Sequence, residues 1–277
     1  MATIHTLTQW LPDKAIQLIG FNMSTQRLRS KIPTQLDIDC NHCSLENMCF
    51  PTKIDVNDLT AFSQLVIHHK PLKRGQYWFR TGEKFRSIFV VRSGSVKTSV
   101  VTHAGSQQIR GFYLPGEIFG LDALDAGYYT TSAQVLQSSS VCEIPFTKLD
   151  ELCTLLPSLP RQLLHIMSKE IHNEQCLIAM LGNTTAEERI AAFLSNMSQR
   201  FSQRGYSANE FILGMPRIDI GNHLGLAVET VSRVITRFQK EGLLTARGKQ
   251  IKILERDRLY KIAGHVTDAI GNVSQQQ

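Results

Sequence analysis

The run Arg217-Ile218-Asp219-Ile220-Gly221-Asn222-His223-Leu224-Gly225-Leu226-Ala227-Val228-Glu229-Thr230-Val231-Ser232-Arg233-Val234-Ile235-Thr236-Arg237-Phe238-Gln239-Lys240 breaks at Gly225. A short helix is expected up to Leu224, a turn at Gly225 and a second helix from near Val228. Two helices joined by a turn of about three to four residues that contains Gly make a helix-turn-helix. On the second helix Val231, Val234, Ile235 and Phe238 recur at helical spacing and form a stripe to be buried. Glu229, Ser232, Arg233, Thr236 and Arg237 fall on the other side. These are groups able to read base edges: Arg pairs with guanine, Glu accepts from the cytosine amino group, and Ser serves either strand.

Beyond Gly242, the segment from Leu243 to Leu254 reads as a β-hairpin turning at Gly248-Lys249, a basic wing beside the helix. Charge supports the reading. The 277-residue chain carries a net charge of +6, and between Arg217 and Lys261 ten Lys/Arg face five Asp/Glu. A local basic excess at a helical motif suits phosphate neutralisation, so double-stranded DNA is the expected partner. The length admits two domains with separate cores. No run of about 18 apolar residues occurs, so no membrane span is expected. The first residues lack the basic start and apolar stretch of a secretory signal, and a cytoplasmic location is expected.

Upstream, from about Pro71 to Pro145, the pattern is different. Short β-rich runs (Tyr77–Arg80, Ser87–Arg92, Val96–Val101, Ile109–Leu114, Ser132–Leu136, Ser140–Ile144) are punctuated by glycines at 75, 82, 94, 105, 111, 116, 120 and 127. Short strands with glycine turns indicate a small antiparallel barrel or sandwich. The segment Pro160 to Leu181 reads as one helix whose seam runs Pro160, Leu164, Met167, Ile171, Glu174, Ile178, Leu181, in alternating steps of four and three. That is the a/d pattern of helix pairing between subunits, and a Pro at the first position starts such a helix without loss. Glu174 lies inside the apolar seam, where two copies would oppose each other and weaken the pair. A core helix packed on its own domain has the same pattern. Residues 1–31 show no sustained period beyond one short helix around Leu11–Ile19.

Near the front stand Cys40-Asn41-His42-Cys43-Ser44-Leu45-Glu46-Asn47-Met48-Cys49, three of six cysteines in the spacing C-x2-C-x5-C. In a reducing compartment such a group binds metal sooner than it forms disulfides. Thiolates select zinc, Cu(I) or iron–sulfur clusters. Three donors are one short of the usual set, and the residues alone do not choose among Cys142, Cys153 and His42 for the fourth. The pair His68-His69 is expected on a loop or helix end. No nucleotide-binding glycine fingerprint, Ser/His/Asp arrangement or second metal motif is present, so an enzyme is not expected.

A glycine-rich β-barrel, a seam helix and a winged helix-turn-helix in that order resemble the cyclic-AMP receptor protein superfamily. Within it, the chain is similar to the branch of the oxygen-responsive fumarate and nitrate reductase regulators. The residues carrying this are the cysteine loop, Val141-Cys142-Glu143-Ile144-Pro145-Phe146, Leu114-Pro115-Gly116-Glu117, Ala186-Glu187-Glu188-Arg189-Ile190 and Leu224–Arg233. The similarity covers roughly residues 33–265. The fold it implies is α+β: an N-terminal antiparallel β-roll (jelly-roll-like) sensor domain, a long dimerisation helix and a C-terminal winged helix-turn-helix. The expected segments are a tail (1–32), the cysteine loop (33–50), the roll (51–158), the dimerisation helix (159–182), the DNA-binding domain (183–265) and a second tail (266–277).

The resemblance also implies the site. Cys40, Cys43, Cys49 and Cys142 would hold a [4Fe–4S] cluster, with structural zinc on the same four thiols as the chemical rival. Cys153 and Cys176 match no ligand position, while Ser44 and Met48 neighbour the ligands. Val228, Glu229, Ser232 and Arg233 would contact a palindrome of the TTGAT-N4-ATCAA type. Leu164, Met167, Ile171, Glu174, Ile178 and Leu181 would form the interface of a cluster-loaded homodimer, and oxygen would convert the cluster toward [2Fe–2S] and release DNA. RNA polymerase is the implied further partner, with the loop Thr102–Gln108 as its contact. Cyclic-nucleotide-binding relatives carry an arginine before a Ser/Thr-Ala pair. Here Thr131 stands there, before Ser132-Ala133, so no cyclic nucleotide is expected.

Overall fold

The computed structural model describes residues 40, 43–45, 48–50, 56–102 and 105–264. The chain divides into two compact units, residues 1–37 and 38–277, and everything below belongs to the second. The helix expected around Leu11–Ile19, both tails and His42 lie outside the described residues.

After helix α1 (Val56–Ser63), eight strands build the roll: β1 (Ile67–His68), β2 (Tyr77–Phe79), β3 (Ser87–Ser93), β4 (Val96–Val101), β5 (Gln107–Tyr113), β6 (Ile118–Phe119), β7 (Ser132–Val135) and β8 (Ser140–Pro145). They form two four-stranded antiparallel sheets, ordered β1-β8-β3-β6 and β2-β7-β4-β5. The β3–β4 hairpin turns at Gly94, at φ 83°, where a Cβ would stand 2.2 Å from Ser139 Oγ. Only glycine satisfies both the turn and the close approach. Rings fill the space between the sheets: Tyr129 stacks on Phe79 at 3.8 Å, and Phe89 and Phe119 close around them. The Tyr129 hydroxyl donates to Ser87 O at 2.7 Å, so the buried polar tip is satisfied.

Helix α2 (Phe146–Leu155) leads into α3 (Ser158–Asn183), two residues longer at each end than the sequence predicts. Pro160 still lies in its first turn, where the missing N–H costs nothing. The helix buries Leu159, Cys176 and Met180 and leaves Leu164, Ile171 and Ile178 at 66, 58 and 66% exposure. Glu174 is exposed among them, whereas Met167 and Leu181 are half-buried. The predicted seam is thus a solvent-facing apolar row on this chain, and the buried residues lie on another face.

Helix α4 (Ala186–Gln203) starts at a reciprocal cap in which Thr185 and Glu188 satisfy each other's backbone N–H. Strand β9 (Glu210–Ile212), α5 (Arg217–Leu224), α6 (Val228–Lys240), β10 (Leu244–Arg247), β11 (Gln250–Ile253) and α7 (Arg256–Ala263) complete a winged helix-turn-helix. Gly225 ends α5 in the left-handed region at φ 64°. The wing joins β9 in a three-stranded sheet, β10-β11-β9.

One apolar core runs from the roll into this domain. Ile109, Phe112 and Leu114 share it with Phe193 and Met197 of α4, Leu224 of α5 and Phe238 of α6. Polar contacts surround it. The Asn222 amide donates to Gln107 O, and Asn222 Oδ1 accepts from Ile109 N at 2.6 Å, so α5 is fastened to β5. Glu117 accepts from Leu114 N, Arg200 and Arg204, and the two guanidiniums also reach Phe112 O and Pro115 O. Burial opposes ionisation of Glu117, but the two guanidiniums outweigh it and hold its carboxyl below the usual range.

Candidate metal centre and nucleic-acid interface

The cysteine loop is anchored at both ends. Cys40 N donates to Ser63 Oγ at 3.1 Å, at the end of α1, and buried Phe50 meets Phe62 edge-on at 5.6 Å. Between them Cys43 N donates to Cys40 O, while Met48 N and Cys49 N both donate to Leu45 O. Strand β8 brings Cys142 from far along the sequence. All four thiols line one pocket walled by Phe50, Phe62, Val90 and Ile144, with His68 and Arg92 as its other polar side chains. Ser44 is exposed, and Met48 lies against Gly116 of the roll.

None of the six cysteines is in a disulfide. Burial, followed by repulsion from Cys142, Cys40 and Cys43, drives the Cys49 thiol far above its ordinary range. Burial and Cys40 likewise push Cys142 up to about 12, with Arg92 opposing. Buried thiols such as Cys49 and Cys142, whose ionisation burial opposes in an apolar pocket, are donors that a cationic metal centre stabilises. Among the described residues, no three His, Cys, Asp or Glu side chains are gathered tightly enough to hold one metal ion.

Cys153 is half-buried on α2 and Cys176 buried on α3, 3.6 Å from His172 Nε2; neither lines the pocket. The expectation of a loop or helix end holds for His69 and needs correcting for His68. His68 lies in β1, paired directly with Cys142 of β8, and His69 follows at the strand's end. A two-residue strand carries no period to detect, although the β-branched pair Val66-Ile67 just before it was a faint signal. Arg92, at the end of β3, is a second pocket residue the sequence did not single out.

On α6, Val231, Val234, Ile235 and Phe238 are buried. Val228 opens the helix half-buried, Glu229 and Arg233 are exposed, and Ser232 is half-buried. Arg233 Nη2 donates to Thr230 Oγ1 at 3.2 Å, and Arg217 of α5 donates to Ser232 Oγ at 3.4 Å. Arg237 is ion-paired with Glu187 of α4, a tie to the neighbouring helix that the sequence did not suggest. Ser232, Arg233, Thr236, Arg237 and Lys240 border one open groove, a cationic strip suited to a phosphate backbone.

Among the described residues, no helix is long and apolar enough to cross a membrane. The model of the Crp-like helix-turn-helix domain matches residues 188–262, and that of the cyclic nucleotide-binding domain matches residues 69–154. The chain is 51% identical to the transcriptional activator protein FnrA of Stutzerimonas stutzeri, over 86% of this chain and 98% of that protein. It is 44% identical to the fumarate and nitrate reduction regulatory protein of Escherichia coli (strain K12), over 82% and 91%. Among solved structures, FixK2 from Bradyrhizobium japonicum superposes with a TM-score of 0.65 at 28% identity, covering 71% of this chain and 96% of that one. A CRP-family transcriptional regulator from Thermus thermophilus shares the fold at a TM-score of 0.57 and 18% identity, over 71% and 97%.

Proposed function

We propose that this chain, which belongs to the Crp/Fnr family of DNA-binding transcription regulators, senses oxygen through a [4Fe–4S] cluster held by Cys40, Cys43, Cys49 and Cys142. The protein is a regulator and not an enzyme. The observation that carries the oxygen reading is the meeting of four thiols from two distant segments in one apolar pocket. Bound there, the cluster supplies an oxidisable centre through which oxygen is read.

The protein's own residues connect that pocket to the helix seam. Cys40, Cys49 and Cys142 pack on the same apolar core as Leu163 and Ile166 of α3. A change in how the loop is held therefore reaches α3 through that shared core. The row Leu164, Ile171, Ile178, flanked by Met167 and Leu181, is the surface a second copy covers, and Glu174 opposes its counterpart there. Pairing sets two α6 helices about 34 Å apart in successive major grooves, which calls for a palindromic site. Glu229, Ser232 and Arg233 read its bases, and Val228 packs at the helix start.

A cyclic nucleotide is not the signal. Rings occupy the interior of the roll, and Asp122 accepts from the Thr130 and Thr131 hydroxyls where a phosphate would need a cation. For RNA polymerase, the loop Thr102–Gln108 is the contact. Gln107 and Gln108, at the start of β5, also hold α5.

Metal and sulfide analysis of protein purified without oxygen tests the proposal. Wild type and Cys153→Ser should carry about four iron and four sulfide per chain, and Cys142→Ser should lose them. One zinc and no sulfide in the wild type would overturn the oxygen reading.

A further inference from the structure

We infer that His68 is a positioning residue of the metal centre, donating an N–H to the sulfur of Cys142 and setting how long the centre survives in air. The inference rests on the cluster reading above and goes beyond its four ligands. Strands β1 and β8 pair antiparallel with His68 directly opposite Cys142, so the two side chains leave the sheet on one face. There His68 Nδ1 stands 3.7 Å from Cys142 Sγ, within hydrogen-bond reach of sulfur. Both groups line the thiol pocket.

The opposite face of the same ladder fixes this arrangement. Glu143, the next residue of β8, accepts from Ser87 Oγ at 2.6 Å and from His69 Nε2 at 2.5 Å. Its carboxylate thereby ties β1 to β3 across β8. The His69 ring rests edge-on against Trp78 at 5.6 Å. Adjacent histidines thus do separate work: His69 pins the strand, and His68 is presented to the thiol. Slipping β1 by one residue would exchange the two faces, which the His69–Glu143 contact prevents.

With its proton on Nδ1, the imidazole donates to a ligating thiolate and disperses its charge. Hydrogen bonds to ligand sulfur are among the levers that set an iron–sulfur centre's potential and persistence. Arg92 adds positive charge to the same pocket, and His68 places an imidazole nitrogen within hydrogen-bond distance of the Cys142 sulfur.

The test compares wild type, His68→Phe and His68→Gln, purified without oxygen. Phe keeps a flat ring and removes the donor, whereas Gln restores an N–H. Iron and sulfide content, the rate at which visible absorbance is lost in air, and the iron–cysteine stretching bands in resonance Raman spectra are measured for each. The expected result is full loading in all three. His68→Phe should then decay about tenfold faster with a shifted stretching band, and His68→Gln should return toward wild type. Equal lifetimes and unshifted bands in all three, or equal impairment of Phe and Gln, would overturn the role of His68 and leave the cluster reading standing. Zinc without sulfide in the wild type would overturn both.

Discussion

Lys97 Nζ of β4 and Asp219 Oδ2 of α5 meet at 2.9 Å with only 8 and 13% of their side chains exposed. This is a largely buried ion pair between the roll and the first helix of the helix-turn-helix. Such a pair stabilises little relative to an apolar replacement, because both charges were taken out of water. Breaking it is another matter. Asp219→Asn should destabilise the protein by about 3–5 kcal/mol in urea titration, since Lys97 is left buried without its countercharge. The double variant Lys97→Met/Asp219→Leu should recover most of that loss. A small effect of Asp219→Asn alone would mean that water reaches Lys97.

His223, also on α5, gives the same interface an acid sensitivity. Burial lowers its pKa to about 4, helped by the charge of Arg200, while its contact with Ile109 O works the other way. The ring lies against Phe112 at 5.1 Å and Phe193 at 6.3 Å. In the unfolded chain a histidine titrates near 6.5. As pH falls from about 6.5 toward 4, the unfolded chain gains a proton that the folded one refuses, so stability is lost across that window. His223→Phe removes this titration. Its urea midpoint should vary less with pH than wild type, by up to about 3 kcal/mol in free energy between neutrality and pH near 4. Parallel pH profiles for the two proteins would show that His223 is protonated without cost.

What the sequence revealed and concealed follows from range. Helix α6 was legible because Val231, Val234, Ile235 and Phe238 repeat at 3.6 residues and Gly225 marks the turn. The longer strands were legible between their glycines. Strands β1, β6 and β9, two or three residues each, exist only through their partners and left no periodic trace. That is why His68 was expected outside the sheet. The ties between roll and DNA-binding domain were hidden for a related reason. Asn222 with Ile109 and Arg200 with Glu117 pair residues some 80 to 110 positions apart, and no local pattern encodes them. In the pocket, the clustered cysteines were plain from spacing alone. Cys142 was chosen by resemblance, and the structure brings it beside them.

On the proposed reading, Arg233 contacts a base of the DNA site. It is exposed on α6, with one guanidinium N–H on Thr230. Arg233→Ala should cost about 1–3 kcal/mol of discrimination at one guanine position in competition binding, with non-specific affinity little changed. A uniform loss on every sequence would make it a phosphate contact. Arg237 should behave differently, because its pair with Glu187 must open before it can reach DNA.

The seam of α3 supplies the last prediction. Ile171 and Ile178 bracket Glu174 on one exposed face, so a second copy that buries them brings two carboxylates together. In that setting like charges oppose association, and removing both should favour the dimer by about 1 kcal/mol, roughly a fivefold tighter constant. Glu174→Ala should therefore shift the aerobic protein toward dimer in sedimentation velocity. Since the effect is Coulombic, the gap between variant and wild type should narrow at high salt. Ile178→Glu, which adds a charge and removes apolar contact, should abolish pairing in both conditions. If Glu174→Ala and wild type sediment alike at every concentration, the two copies do not meet along this row, and another face of α3 carries the interface.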